Sequence, residues 1–167
     1  MAPRTLPSAS MRPDALASLK VLVVDDNANV QRLISDVLRA GGVGQVETAD
    51  DGLRARQTLG RWDPDIIFCD WQMPVMGGLE LVRSIRKAAV VPDRRVPNPQ
   101  VPVIAVTAHR SQKEVEDARL AGVNEFVIKP FTPAALLSRI QLVLTNPGHG
   151  LIVSRGDRAL QSVRTAS

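Results

Sequence analysis

The chain has 167 residues, is 44% hydrophobic and carries a net charge of +4, which predicts one well-cored domain with two tails and leaves no room for a second full domain. Only 3% of residues are aromatic and none is Tyr, which argues against stacking surfaces for single-stranded nucleic acid. Residues 1–18 carry +1 and residues 147–167 carry +2, so the body is nearly neutral and lacks the clustered cations of a duplex binder.

Cys69 is the only cysteine, which excludes an intrachain disulfide and a thiolate zinc cluster. Beside Asp70 it reads as a small buried hydrophobe rather than a reactive thiol. No stretch is apolar for long enough to be a signal peptide or a membrane span. A cytoplasmic protein with no membrane partner is expected.

Residues 1–18, with Pro3, Pro7 and Pro13 among Ser and Ala, read as a flexible lead, and order is expected from Leu19. Val21-Leu22-Val23-Val24 is short, apolar and β-branched, the pattern of a strand buried on both faces. Val30, Leu33, Ile34, Val37 and Leu38 then repeat at helical spacing until Gly41-Gly42 stop the helix. Asn29, Gln31, Arg32, Ser35 and Asp36 are expected on its outward side. A second strand is expected over residues 46–49, a helix over 52–60, a third strand over 65–70 and a helix over about 79–89. Residues 90–102 hold four prolines and read as a tolerated insertion on the far edge of the sheet. Then come a strand over 103–107, a helix over 111–121, a strand over 125–128 and a helix over 133–144. Residues 147–167, rich in Gly and Ser, read as a flexible tail. Five strands alternating with five helices imply an α/β fold: a doubly wound, five-stranded parallel sheet of order 2-1-3-4-5 over residues 19–146.

In such a sheet chemistry collects at the carboxyl ends of the strands. Asp25 with Asp26, Asp70, Thr107 and Lys129 all fall there. Alone, each has a plain reading: a carboxylate or a Thr caps the following helix, and a Lys before Pro130 is solvated. Together, three converging carboxylates raise one another's pKa unless a cation joins them, and Mg²⁺ suits an all-oxygen set that keeps room for phosphate. Asp70 is then placed to attack phosphorus and form an aspartyl phosphate, with Thr107 and Lys129 donating to phosphoryl oxygens.

VLVVDDN at 21–27, DWQMPVMGG at 70–78, VTA at 106–108 and FVIKPF at 126–131 resemble the receiver domain of two-component response regulators, most of all the single-domain chemotaxis type. The resemblance implies a flavodoxin-like receiver fold, with Asp70 as phosphoacceptor and Asp25, Asp26, Asp70 and the Gln72 carbonyl holding Mg²⁺. It implies Thr107 as switch hydroxyl, Lys129 as phosphoryl contact and Phe126 as the switch aromatic that turns inward. Pro130 matches a cis-proline. Gln72 and His109 occupy positions that tune the phosphoryl lifetime, although His109 also reads as an ordinary surface histidine.

The function so implied is a stand-alone phosphoacceptor switch rather than a turnover enzyme. It is charged by a histidine kinase or phosphotransfer protein that docks near the first long helix and Pro130-Phe131, and it signals to a downstream protein or relays the phosphate. A phosphorylation-independent scaffold is the alternative. A transcription regulator would need a longer tail than 147–167. A small-molecule phosphohydrolase commonly needs an acid two residues past the nucleophile, where this chain has Gln72.

Overall fold

The structure, a computed structural model, describes residues 13–109 and 111–146. In chain order the elements are α1 (Pro13–Ala17), β1 (Lys20–Val24), α2 (Ala28–Ala40), β2 (Gln45–Ala49), α3 (Gly52–Arg61), β3 (Ile66–Asp70), α4 (Gly78–Lys87), β4 (Val103–Thr107), α5 (Gln112–Ala121), β5 (Glu125–Ile128) and α6 (Pro133–Thr145). All strands pair in parallel in the order β2-β1-β3-β4-β5, the doubly wound order expected from the alternation.

Alternate residues of one strand point to opposite faces, so each central strand feeds two cores. Val21, Val23, Ile66, Phe68, Ile104 and Val106 pack against Ile34 and Leu38 of α2 and Leu136, Ile140 and Val143 of α6. Leu22, Val24, Ile67, Cys69, Val103 and Ala105 pack against Leu59 of α3 and Leu81, Val82 and Ile85 of α4. Every residue of β3 and β4 is buried, which is why those runs are apolar without alternation. Each fully buried Val, Ile or Phe among them contributes about 1.5–3 kcal/mol.

The register sets the height of each strand end. Val24 pairs with Cys69, Asp70 with Val106 and Thr107 with Ile128. Asp25 and Asp70 therefore finish level, with Thr107 one residue and Lys129 two residues beyond them. Where α4 begins, the chain passes close to the end of β3 and needs a glycine, because a Cβ at Gly78 would stand 2.7 Å from the Asp70 carbonyl oxygen and 2.8 Å from the Trp71 ring.

Three local expectations are corrected. Residues 13–17, placed in the flexible lead, form α1. Its Leu16 carbonyl accepts from Leu19 N and Gly44 N, and Leu16 packs on the α2/α6 core. On α2 the buried face is Gln31, Ile34, Ser35 and Leu38, so Gln31 and Ser35 point inward while Leu33 is 53% exposed. The stripe is rotated because the helix seats on Ile34, whose neighbours at −3 and +4 are Gln31 and Leu38.

The insert at 90–102 lies at the far edge, as expected, but it is anchored. Val96 and Val101 are buried in the α3/α4 core. Asp93 accepts from Arg56 at 2.5 Å and from Arg95. Arg86 donates to the carbonyls of Pro99, Val101 and Gly122 and to Asn124 Oδ1 at 2.7–3.2 Å. Residues 1–12 of the lead and the tail at 147–167 lie outside the described residues.

Candidate acidic site at the carboxyl edge of the sheet

Asp25 is 1% exposed. Its main-chain N–H donates to the Ala49 carbonyl, which continues the β1–β2 ladder one residue past the strand and fixes the carboxylate. Asp25 Oδ1 accepts from Asn27 N at 2.8 Å and Oδ2 from Lys129 Nζ at 3.3 Å. Asn27 in turn caps α2, its side chain accepting from Asn29 N and Val30 N. The helix thus takes its cap from Asn27, and the preceding pair of acids is left for other work.

Asp70 ends β3 and is buried; Asp26 is exposed. One oxygen from each of Asp25, Asp26 and Asp70 lies within 4.8 Å of the others. Lys129 Nζ reaches Asp70 Oδ1 at 3.5 Å, so the ammonium sits between two carboxylates contributed by the adjacent strands β1 and β3. Lys129 joins Pro130 through a cis peptide bond, as the resemblance implied.

Electrostatics follow from this crowding. Burial, then the charge of Asp25, push the Asp70 carboxyl above its ordinary value, while the charge of Lys129 and a backbone hydrogen bond from Gln72 pull it back. Burial pushes the Cys69 thiol far up, with Asp70 and Asp25 adding to the effect. The thiolate is suppressed, in keeping with Cys69 as a packed side chain.

Thr107 is buried at the end of β4. Its hydroxyl donates to the His109 carbonyl at 2.8 Å and accepts from His109 N at 3.2 Å, so in this conformation it is engaged with the loop that leads to α5. The side chains of Gln72 and His109 are exposed beside the site. Phe126, expected to turn inward on activation, is already buried at 6% exposure and packed in the α3/α4 core.

Sequence reasoning missed Gln31. Its amide nitrogen stands 2.5 Å from the Asp25 carbonyl oxygen, 2.9 Å from Asp50 Oδ1 and 3.2 Å from the Ala49 carbonyl oxygen. Counting back three residues from Ile34 would have placed it on the buried side.

A parallel sheet with this topology and an acidic trio, a lysine and a threonine at its carboxyl edge define a receiver-type signalling domain. Residues 21–141 match the model of the response regulator receiver domain, and the chain belongs to that family of phosphoacceptor switches. It is 34% identical to chemotaxis protein CheY-3 of Vibrio cholerae over 126 residues, 75% of this chain and 92% of that one. It is 36% identical to chemotaxis protein CheY of Pseudomonas aeruginosa over 125 residues, 75% of this chain and 95% of the relative. Among solved structures, Vibrio cholerae CheY4 aligns with a TM-score of 0.65 at 31% identity over 74% of this chain and 96% of its own. The receiver domain of the Francisella response regulator 1452 aligns with a TM-score of 0.65 at 26% identity, covering 76% and 97%. Among the described residues no helix is long and apolar enough to cross a membrane.

Proposed function

We propose that this chain is a stand-alone response regulator that accepts a phosphoryl group on Asp70 from a histidine kinase or a phosphotransfer protein and presents the change to a protein partner, or relays the group onward. The observation that carries the reading is the convergence of Asp25, Asp26 and Asp70 within 4.8 Å, with Lys129 3.5 Å from Asp70. An all-oxygen set with surplus negative charge fits Mg²⁺, held by the three carboxylates and the Gln72 carbonyl. When bound, Mg²⁺ supplies charge neutralisation for phosphoryl oxygens.

In the transfer an Asp70 carboxylate oxygen attacks phosphorus. The bond from phosphorus to the donor imidazole nitrogen breaks, that nitrogen keeps the electron pair, and an acyl phosphate forms. Lys129 contributes a point charge to the transferred group. Thr107 leaves the His109 carbonyl and donates to a phosphoryl oxygen instead, so the loop ahead of α5 loses a tether. Phe126 is already inward, and the loop rather than a ring rotation carries the first movement. Hydrolysis reverses the state: water attacks phosphorus, the bond to Asp70 breaks, and carboxylate and inorganic phosphate result. Gln72 and His109 flank that approach and set its rate.

The phosphodonor docks on the exposed side of α2, made by Asn29, Arg32, Leu33 and Asp36, together with Pro130-Phe131. A cytoplasmic location accords with such partners. Intact-protein mass after incubation with acetyl phosphate and Mg²⁺ tests the proposal. A metal-dependent gain of one phosphoryl group, absent from Asp70→Asn, is expected. No gain in wild type would favour a phosphorylation-independent scaffold, and steady turnover of a phosphomonoester would favour a phosphohydrolase.

A further inference from the structure

Gln31 is 8% exposed, and its amide nitrogen faces three acceptors, the carbonyl oxygens of Asp25 and Ala49 and Asp50 Oδ1, at 2.5, 3.2 and 2.9 Å. All three neighbours are oxygens without a proton, so the amide orientation is dictated by chemistry: the NH₂ faces them. Asp25 is the first residue past β1, Ala49 ends β2, and Asp50 follows it directly. One side chain from α2 therefore staples the ends of two strands at the point where Asp25 and Asp26 leave the sheet.

We propose that Gln31 is a positioning residue for the cation site, holding the main chain of Asp25 so that the carboxylates of Asp25 and Asp26 stay directed at Asp70. This rests on the reading of that trio as the Mg²⁺ site. The Asp25 side chain has its own anchors in Asn27 N and Lys129 Nζ, whereas Asp26 is exposed, so its direction depends on where the main chain runs. Gln31 fixes that main chain from below. It also donates to Oδ1 of Asp50, a fourth carboxylate. Groups that orient ligands without touching the ion set affinity strongly, and their loss typically costs about 10–100-fold.

The experiment is a titration of the metal-free full chain with MgCl₂, followed by tryptophan fluorescence, because Trp71 directly follows Asp70. It compares wild type, Gln31→Met and Gln31→Asn, each at a temperature where its metal-free melting curve shows full folding. Gln31→Met keeps the length and removes the donors; Gln31→Asn keeps an amide one methylene too short to span the acceptors. The expected result is a dissociation constant for Mg²⁺ raised by about 10-fold or more in Gln31→Met and by less in Gln31→Asn. An unchanged constant in folded Gln31→Met, with only a lowered melting temperature, overturns the proposal and leaves a packing role. Should Gln31→Met not fold, the same criterion applies to Gln31→Asn. A wild type without a saturable Mg²⁺ response removes the metal reading itself, and the positioning role with it, before any variant is compared.

Discussion

Lys129 Nζ stands 3.5 Å from Asp70 Oδ1 across the end of β4, and the same ammonium lies 3.3 Å from Asp25 Oδ2. One cation therefore compensates two carboxylates from different strands. The Lys129 side chain is 26% exposed and that of Asp25 1%, so the contact is partly shielded from water. Lys129→Met is expected to cost roughly 1–3 kcal/mol at neutral pH, less than breaking a fully buried pair. Denaturant titrations at pH 7 without metal check this, and added Mg²⁺ should return part of the loss, since a ligand that binds only the folded state stabilises it.

Asp70 behaves in the opposite sense to an ordinary ion-paired acid. Its folded carboxyl lies above the ordinary value because burial and Asp25 outweigh Lys129 and the Gln72 amide. The folded state then holds a proton that the unfolded chain has already released, so stability falls as pH rises from the ordinary carboxylate range through the folded value. Asp70→Asn removes that loss. Thermal melts in a chelator from pH 3 to pH 8 should show the variant gaining on wild type as pH rises, with the two converging at the acid end. A variant less stable than wild type at pH 7 would contradict the electrostatic account.

Arg86 ties the insert to the rest of the domain. Burial pulls its guanidinium down to about 10, so it is charged at neutral pH while, among the described residues, it bonds to neutral oxygens of Pro99, Val101, Gly122 and Asn124. Arg86→Met should cost about 2–4 kcal/mol, the scale of one or two hydrogen bonds to a charged group. Hydrogen exchange should accelerate first at Val96 and Val101. Phosphorylation by acetyl phosphate should persist in the folded fraction, because the insert lies at the edge opposite Asp70.

A substitution at Leu33 tests the proposed docking face separately from the chemistry. Leu33 is 53% exposed on α2 beside Asn29, Arg32 and Asp36 and far in sequence from every site residue on β3, β4 and β5. Leu33→Ser should slow phosphotransfer from a cognate protein donor by about 10-fold, the scale of 1.4 kcal/mol of lost apolar contact. Labelling by acetyl phosphate, which needs no protein surface, should keep its rate. Equal rates from the protein donor would move the docking face elsewhere.

The strands and their order were legible because Val21 to Val24, Ile66 to Cys69 and Val103 to Val106 are short apolar runs that only a sheet covered on both faces would need. The placement of the candidate site was legible because a polar residue ends each run. What escaped depends on tertiary partners. Gln31 falls on the buried side at helical spacing from Ile34, but its polar side chain reads as outward until the carbonyls past β1 and at the end of β2 that accept from it are known. α1 is five residues long, too short to show a repeat, and Leu16 holds it through bonds to Leu19 and Gly44. The inward Phe126 and the Thr107 bond to His109 are conformational facts that residue types leave open.

Under the proposed function Asp70, and not its acidic neighbours, carries the phosphoryl group. Borohydride reduces an aspartyl phosphate to homoserine, which marks the acceptor permanently. Wild-type protein treated with acetyl phosphate and Mg²⁺, then borohydride, should yield a digest with homoserine at position 70 and aspartate at 25 and 26. Homoserine at 25 or 26, or none in a chain that binds Mg²⁺, would contradict the account.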